Sequence, residues 1–206
     1  MGITETSPFP RMRQTDSPPG VLLESAFRTF AAKGYRATCL EEIADSVGMT
    51  KGAIYYYFSS KEDLLRRLME RATSFMTDQI DEIYGTDLPP AKKLRWALEN
   101  HAATMMENLD LVAVYLHEYR NLPPDRLAEA LAVRKHYEQV LMQIVEDGIA
   151  CGKFRSVNVK MAVFGMLGML NWTHQWFSPD GPFSSQEVAT TLAELAMHGL
   201  TRQPDS

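Results

Sequence analysis

Three observations predict an all-α protein for this 206-residue chain. Apolar residues recur at three- and four-residue spacing through nearly every segment, as one face of a helix requires. Turn-forming breaks separate the segments at Pro89-Pro90, Asn108-Leu109-Asp110, Pro123-Pro124, Cys151-Gly152 and Ser178-Pro179-Asp180-Gly181-Pro182. No stretch alternates apolar and polar residues as a half-buried strand does, and no internal repeat is present. The expected architecture has about nine helices. A mobile arm over residues 1–18 precedes a three-helix head over 19–60 and a larger helical body over 61–206.

The arm is rich in Pro, Ser and Thr, with little apolar periodicity. Its Arg11 and Arg13 either reach a polyanion or belong to a solvated tail. The first helix is expected from about Pro19 to Lys33, with Leu23, Ala26, Phe27 and Phe30 on one face and Gly34 as its stop. A second, short helix should follow Thr38, which can form a capping box with Glu41. Leu40, Ile43, Ala44 and Val47 give it an apolar face, and Gly48 ends it. Thr50 can cap a third helix whose buried side uses Ile54 and Phe58.

That third helix leaves Thr50, Lys51, Gly52, Ala53, Tyr55, Tyr56 and Tyr57 facing outward, a small, hydroxylated and aromatic surface carrying one cation. Small residues let the backbone approach another surface, and hydroxyls can bond phosphate oxygens. Those are the requirements of a recognition helix in a major groove. A buried helical hairpin with Tyr55, Tyr56 and Tyr57 in its core is the competing reading.

The stretch GYRATCLEEIADSVGMTKGAIYYYFSSKEDLL closely resembles the DNA-binding signature of TetR-family transcriptional regulators. The likeness lies in the Gly-Tyr before Thr38, the Ile-Ala pair, Gly48, Thr50-Lys51-Gly52, Tyr55 with Phe58, and the Ser-Lys-Glu that opens the next helix. Where the family commonly has His, this chain has Tyr57. The resemblance implies a homodimer that places Thr38, Thr50, Lys51, Gly52, Ala53, Tyr55, Tyr56, Tyr57 and Lys61 against double-stranded operator DNA.

Ser59 or Ser60 should cap a long helix running to about Ile83, with Leu64, Leu65, Leu68, Ala72, Phe75, Met76, Ile80 and Ile83 on its apolar side. At 1.5 Å per residue it spans roughly 35 Å and can act as a lever between head and body. Further helices are expected near 90–107, 110–120, 124–150, 158–177 and 184–201, the last opening with a Ser184–Glu187 capping box. Nine of the twelve methionines follow residue 61. Met69, Met76, Met105, Met142 and Met166 are candidates to line a flexible apolar ligand site, or are core filler. FGMLGMLNWTHQWF, over 164–177, is apolar on nearly every side and needs cover on more than one. With the last helix it is the candidate two-fold interface, through Phe164, Gly168, Trp176, Val188, Leu192 and Leu195. Trp172 and Trp176 are either interface anchors or pocket walls.

The segment from Arg134 to Pro182 also resembles a TetR-family branch responsive to acyl-CoA thioesters, in VEDGIACGKFR, in LGMLNWTHQWF with Pro179 and Gly181 following, and in the closing Gly199-Leu200. This implies repression of lipid, steroid or aromatic-acid breakdown genes, relieved by an acyl-CoA effector. Arg120, Arg126, Arg134, Lys135, Lys153 or Arg155 would then meet the CoA phosphates, and no cofactor is expected. The same fold could instead sense a lipophilic drug and control an efflux gene. Two other classes are a non-specific architectural DNA binder and a helical dimer without DNA.

Hydrophobic side chains make up 45% of the chain, enough for one sizeable core and a second small one. No apolar run reaches the roughly 18 residues of a membrane span, and the polar N-terminus has no signal-peptide character. Cys39 and Cys151 lack metal-site spacing, so reduced thiols and a cytoplasmic location are expected. Net charge is −5, but residues 1–61 hold seven Lys or Arg against six Asp or Glu, whereas 62–206 hold 14 against 20. The acidity belongs to the body, which leaves the head free to meet DNA. The five histidines are scattered and none sits in a catalytic motif. His117-Glu118 with His101 or His174 is the one set a metal could use, a buried polar role being the plainer reading. With no GxSxG, Walker loop or GxGxxG, the chain is read as no enzyme.

Overall fold

A computed structural model describes residues 17–109, 112 and 124–201, without the side chains of Ala72 and residues 124–126. The arm with Arg11 and Arg13, the helix expected near 110–120, and His117, Glu118 and Arg120 lie outside the described residues, as does the Arg126 side chain. Among the described residues nine helical segments follow in order: α1 (Pro18–Lys33), α2 (Leu40–Ser46), α3 (Lys51–Tyr57), α4 (Lys61–Gly85), α5 (Pro90–Glu107), α6 (Pro124–Ala150), α7 (Val159–Asn171), the four-residue α8 (Thr173–Trp176) and α9 (Ser185–Leu200). Among the described residues there is no strand, only an isolated bridge between Phe154 and Thr201.

Two clusters of buried side chains organise the chain. The first joins Leu22, Ala26 and Phe30 of α1, Leu40, Ile43 and Ala44 of α2, and Ile54 and Phe58 to Leu64, Leu65, Leu68 and Met69 at the start of α4. The second runs from Ile80 and Ile83 of α4 through α5, α6, α7 and α9. The head core therefore extends past residue 60 into the first turns of α4. One 25-residue helix belongs to both cores.

Local chemistry explains the boundaries. Seven-residue helices such as α2 and α3 are unstable alone and persist because Ile43, Ala44, Ile54 and Phe58 are buried. Gly48 takes a φ of 69° between them, a left-handed conformation that side chains with a Cβ resist. The hydroxyls of Thr50, Ser60 and Ser184 accept from the main-chain N–H groups of Ala53, Asp63 and Glu187, and Glu187 completes its capping box.

Three expectations are corrected. The Thr38–Glu41 box does not form: Cys39 occupies the cap of α2, and the buried Thr38 hydroxyl donates to the Gly34 carbonyl at 3.0 Å. On α1 the innermost residue is Leu22 rather than Leu23, with Leu23 and Phe27 half-buried at the rim. The helix expected over 158–177 breaks at Trp172. There the Thr173 hydroxyl donates to the Leu170 carbonyl at 2.7 Å, which competes with the helical ladder, while the Asn171 carboxamide turns toward His101.

Candidate nucleic-acid interface

Ile54 and Phe58 point into the head, so helical geometry turns Tyr55 and Tyr56 outward. Tyr56 is 81% exposed and Tyr55 46%, in line with a face prepared for a partner rather than a buried hairpin. Thr50, Lys51 and Gly52 are exposed and Ala53 is half-exposed, giving the small approach surface at the start of α3. Tyr57 differs from its neighbours. It is half-buried against the head core and meets the Tyr56 ring edge-on at 4.9 Å, so it supports the outward ring.

Two other predicted contact residues also turn inward. Thr38 is buried. Lys61 donates to the carbonyl oxygens of Tyr35 and Thr38 at 2.9 and 3.0 Å, with its ammonium 4.4 Å from the Tyr35 ring centre. It staples the α1–α2 loop to the first turn of α4, so the ammonium expected to face DNA is engaged by internal bonds.

The electrostatics of α3 centre on Glu41 of α2. Its Oε1 lies 2.6 Å from the Lys51 ammonium and accepts from the Tyr55 hydroxyl at 3.3 Å. Lys51, assisted by a main-chain hydrogen bond and Tyr55, holds the Glu41 carboxyl down at about 2. Glu41 in turn raises Lys51. Spacing alone gave no sign of this contact, because α2 and α3 had to be docked before residues 41 and 51 became neighbours.

The methionines proposed to bind ligand lie in different surroundings. Met69 is buried in the head cluster and Met166 in the body cluster; Met76, Met105 and Met142 are half-buried. A cleft of about 60 Å³ between α4 and α6 is lined by Arg66, Met69, Glu70, Thr73, Glu129, Ala130 and Val133. Ligand sites for drug-sized molecules are several-fold larger. Of the predicted cations, Arg134 pairs with Glu138 at 2.8 Å and Arg155 donates to the Gly199 carbonyl at 2.7 Å, while Lys135 and Lys153 are exposed.

Trp172 and Trp176 stand 64% and 51% exposed. With Phe164 and Leu195 they form an uncovered apolar face, and a Cβ at Gly165 or Gly168 would meet nothing. Val188 is corrected: it is buried in the body's own core, with Leu192 half-buried against it. Met161 and Phe183 are exposed as well. Met161 was legible as part of a 161–165–168–172 stripe at helical spacing.

Of the histidines considered for a metal, His101 is buried and its ring nitrogens are both engaged. Nε2 lies 2.7 Å from the Asn171 carboxamide oxygen, and Nδ1 lies 3.0 Å from the Tyr137 hydroxyl. Asn171 accepts through that oxygen, so Nε2 carries the hydrogen and Nδ1 accepts from Tyr137. Burial pushes the imidazole below its ordinary value, opposed in part by Asn171. His174 bonds the Asn171 carbonyl instead.

A capped, solvent-facing third helix on a three-helix head defines a helix-turn-helix DNA-binding regulator. Residues 22–68 match the family described as bacterial regulatory proteins, tetR family, and residues 87–200 match the tetracyclin repressor-like C-terminal domain. The chain belongs to the TetR family of transcriptional regulators. Among solved structures it resembles the ketosteroid transcriptional regulator KstR2 of Mycobacterium tuberculosis, with a TM-score of 0.84, 25% identity and coverage of 92% of this chain and 98% of that one. PfmR from Thermus thermophilus aligns with a TM-score of 0.80 and 34% identity over 88% of this chain and 99% of the other. AibR in complex with isovaleryl coenzyme A and operator DNA aligns at 0.77 and 26% identity, covering 87% and 97%. No described helix is long and apolar enough to cross a membrane.

Proposed function

We propose that the chain is a homodimeric cytoplasmic repressor that docks both heads on a near-palindromic operator and lets go when an acyl-CoA thioester occupies the body. The observation that carries this reading is the bare outward face of α3, with Tyr56 81% exposed above a fixed hydrophobic base. Thr50, Lys51, Gly52, Ala53, Tyr55 and Tyr56 are the groups that meet the duplex. Two heads of a pair would sit on half-sites about 34–36 Å apart. The face of Phe164, Gly168, Trp172, Trp176 and Leu195 is the surface a second copy covers, since apolar area of this kind gains by leaving water.

Division of labour follows the chain, with the arm over 1–18, the head over 19–60 and the sensing, pairing body over 61–206. The acyl-CoA effector is supported by the likeness to AibR, seen with isovaleryl coenzyme A, and to KstR2, a ketosteroid regulator. Because α4 belongs to both cores, a ligand that prefers a rotated α4 changes the spacing of the two heads. A ligand indifferent to that rotation shifts nothing, however tightly it binds.

Electrophoretic shift of DNA upstream of the chain's own gene tests the reading. A retarded band is expected that a panel of acyl-CoA esters dissolves and cationic lipophilic dyes leave intact. Release by dyes alone would favour the efflux-gene alternative. Equal retention of random DNA would favour an architectural binder, because specific sites are typically bound a thousandfold or more tighter.

A further inference from the structure

The first turns of α2 and α3 meet in a way the DNA-binding reading does not by itself require. Lys51 is the only cation on α3, and in the free head it is bound to a carboxylate. Glu41 Oε1 holds both the Lys51 ammonium, at 2.6 Å, and the Tyr55 hydroxyl, at 3.3 Å, while the ammonium lies 5.7 Å from the Tyr55 ring centre. Three side chains from two helices thus form one unit on the surface that faces the duplex. A carboxylate there is costly for simple adhesion, since double-stranded DNA presents a negative charge about every 1.7 Å of its axis. It is useful for discrimination: a carboxylate can accept from the exocyclic amine of cytosine, and a fixed lysine and tyrosine read base edges that a loose pair would not.

We propose that Glu41 is a specificity-determining residue, which removes Lys51 from the phosphate-neutralising set and holds Lys51 and Tyr55 as a fixed unit against base edges. The inference rests on the reading that α3 faces DNA. Its consequence is unusual for a lysine on a recognition helix. Releasing Lys51 by removing the Glu41 charge should make the protein bind DNA more strongly and less selectively.

The test compares the full-length wild type with Glu41→Gln, Lys51→Gln and the double variant, using fluorescence anisotropy over a range of salt. The probes are a duplex from upstream of the chain's own gene and a random-sequence duplex of the same length. Glu41→Gln should bind the random duplex more tightly, steepen its logarithmic salt slope by about one, and reduce the preference for the upstream duplex at least about fivefold. Lys51→Gln should leave the salt slope unchanged in the wild-type background and flatten it by about one in the Glu41→Gln background. A Glu41→Gln slope equal to wild type, or a wild-type slope already flattened by Lys51→Gln, overturns the proposal. Tyr56→Ala on the same probes separates the two levels. If it loses the upstream duplex while Glu41→Gln is silent, the role of Glu41 alone fails; if it binds like wild type, the placement of α3 fails and takes the role of Glu41 with it.

Discussion

The chain leaves two aromatic faces bare, and their chemistry differs. On α3, Tyr55 and Tyr56 carry hydroxyls and sit beside a lysine, a glycine and a capping threonine. On α7, α8 and α9, Phe164, Trp172, Trp176 and Leu195 form an apolar surface, flanked by the open glycines 165 and 168. Exposure of large rings is common to both, so exposure alone does not identify a partner. The polar trim does. Hydroxyls and a paired cation suit a polyanion with hydrogen-bonding edges, whereas exposed tryptophans with open glycines suit close packing against a second protein surface.

The comparison breaks most readily on the apolar side. Phe164→Glu with Trp176→Glu should turn a dimer into a monomer in sedimentation velocity, weakening pairing by more than about 2 kcal/mol and taking operator affinity with it. A dimer that survives unchanged would show that this face pairs with nothing. A change inside the body gives the control. A Cβ at Gly148 would run into the ring of Phe154, which is fully buried. Gly148→Ala should therefore cost about 1–3 kcal/mol in urea unfolding, while the purified folded fraction keeps its affinity for DNA. On the polar side, Tyr56→Ala should lose about 1–3 kcal/mol of operator binding. Its melting temperature and dimer constant should stay at wild-type values, since substitutions at exposed positions change stability by about 0.5 kcal/mol or less.

The last effect is a pH dependence of the body. His101 is neutral when folded and its pKa is lowered by burial, so the unfolded chain takes up a proton as pH falls through 6.5 and the folded chain does not. Stability must then fall with pH below that value, by up to about 1.4 kcal/mol per unit. His101→Gln should flatten the decline in melting temperature between about pH 7 and 5, and an identical decline would show that His101 does not titrate in that window.

Most helices were legible because their signals are local. Gly34 and Gly48, the Ser184–Glu187 box and the Pro89-Pro90 break act within a turn or two, and α1, α3, α5 and α9 begin and end within a residue or two of where these place them. The outward placement of Tyr55 and Tyr56 followed from Ile54 and Phe58, whereas Tyr57 is half-buried against the head core. What escaped depends on docking. The bonds of Lys61 to the Tyr35 and Thr38 carbonyls span 26 and 23 residues, and that of His101 to Asn171 spans 70. Helical periodicity carries no information at such separations. Val188 failed for a related reason: a helix between a core and an uncovered face is apolar on both sides, and spacing does not say which side is which.

Tyrosine nitration with and without DNA addresses the central claim most directly. Tyr56 and Tyr55 should be modified in the free protein and protected by an upstream duplex, while Tyr84, exposed at the far end of α4, stays equally reactive in both. Tyr56 modified to the same extent with saturating DNA present would contradict the account.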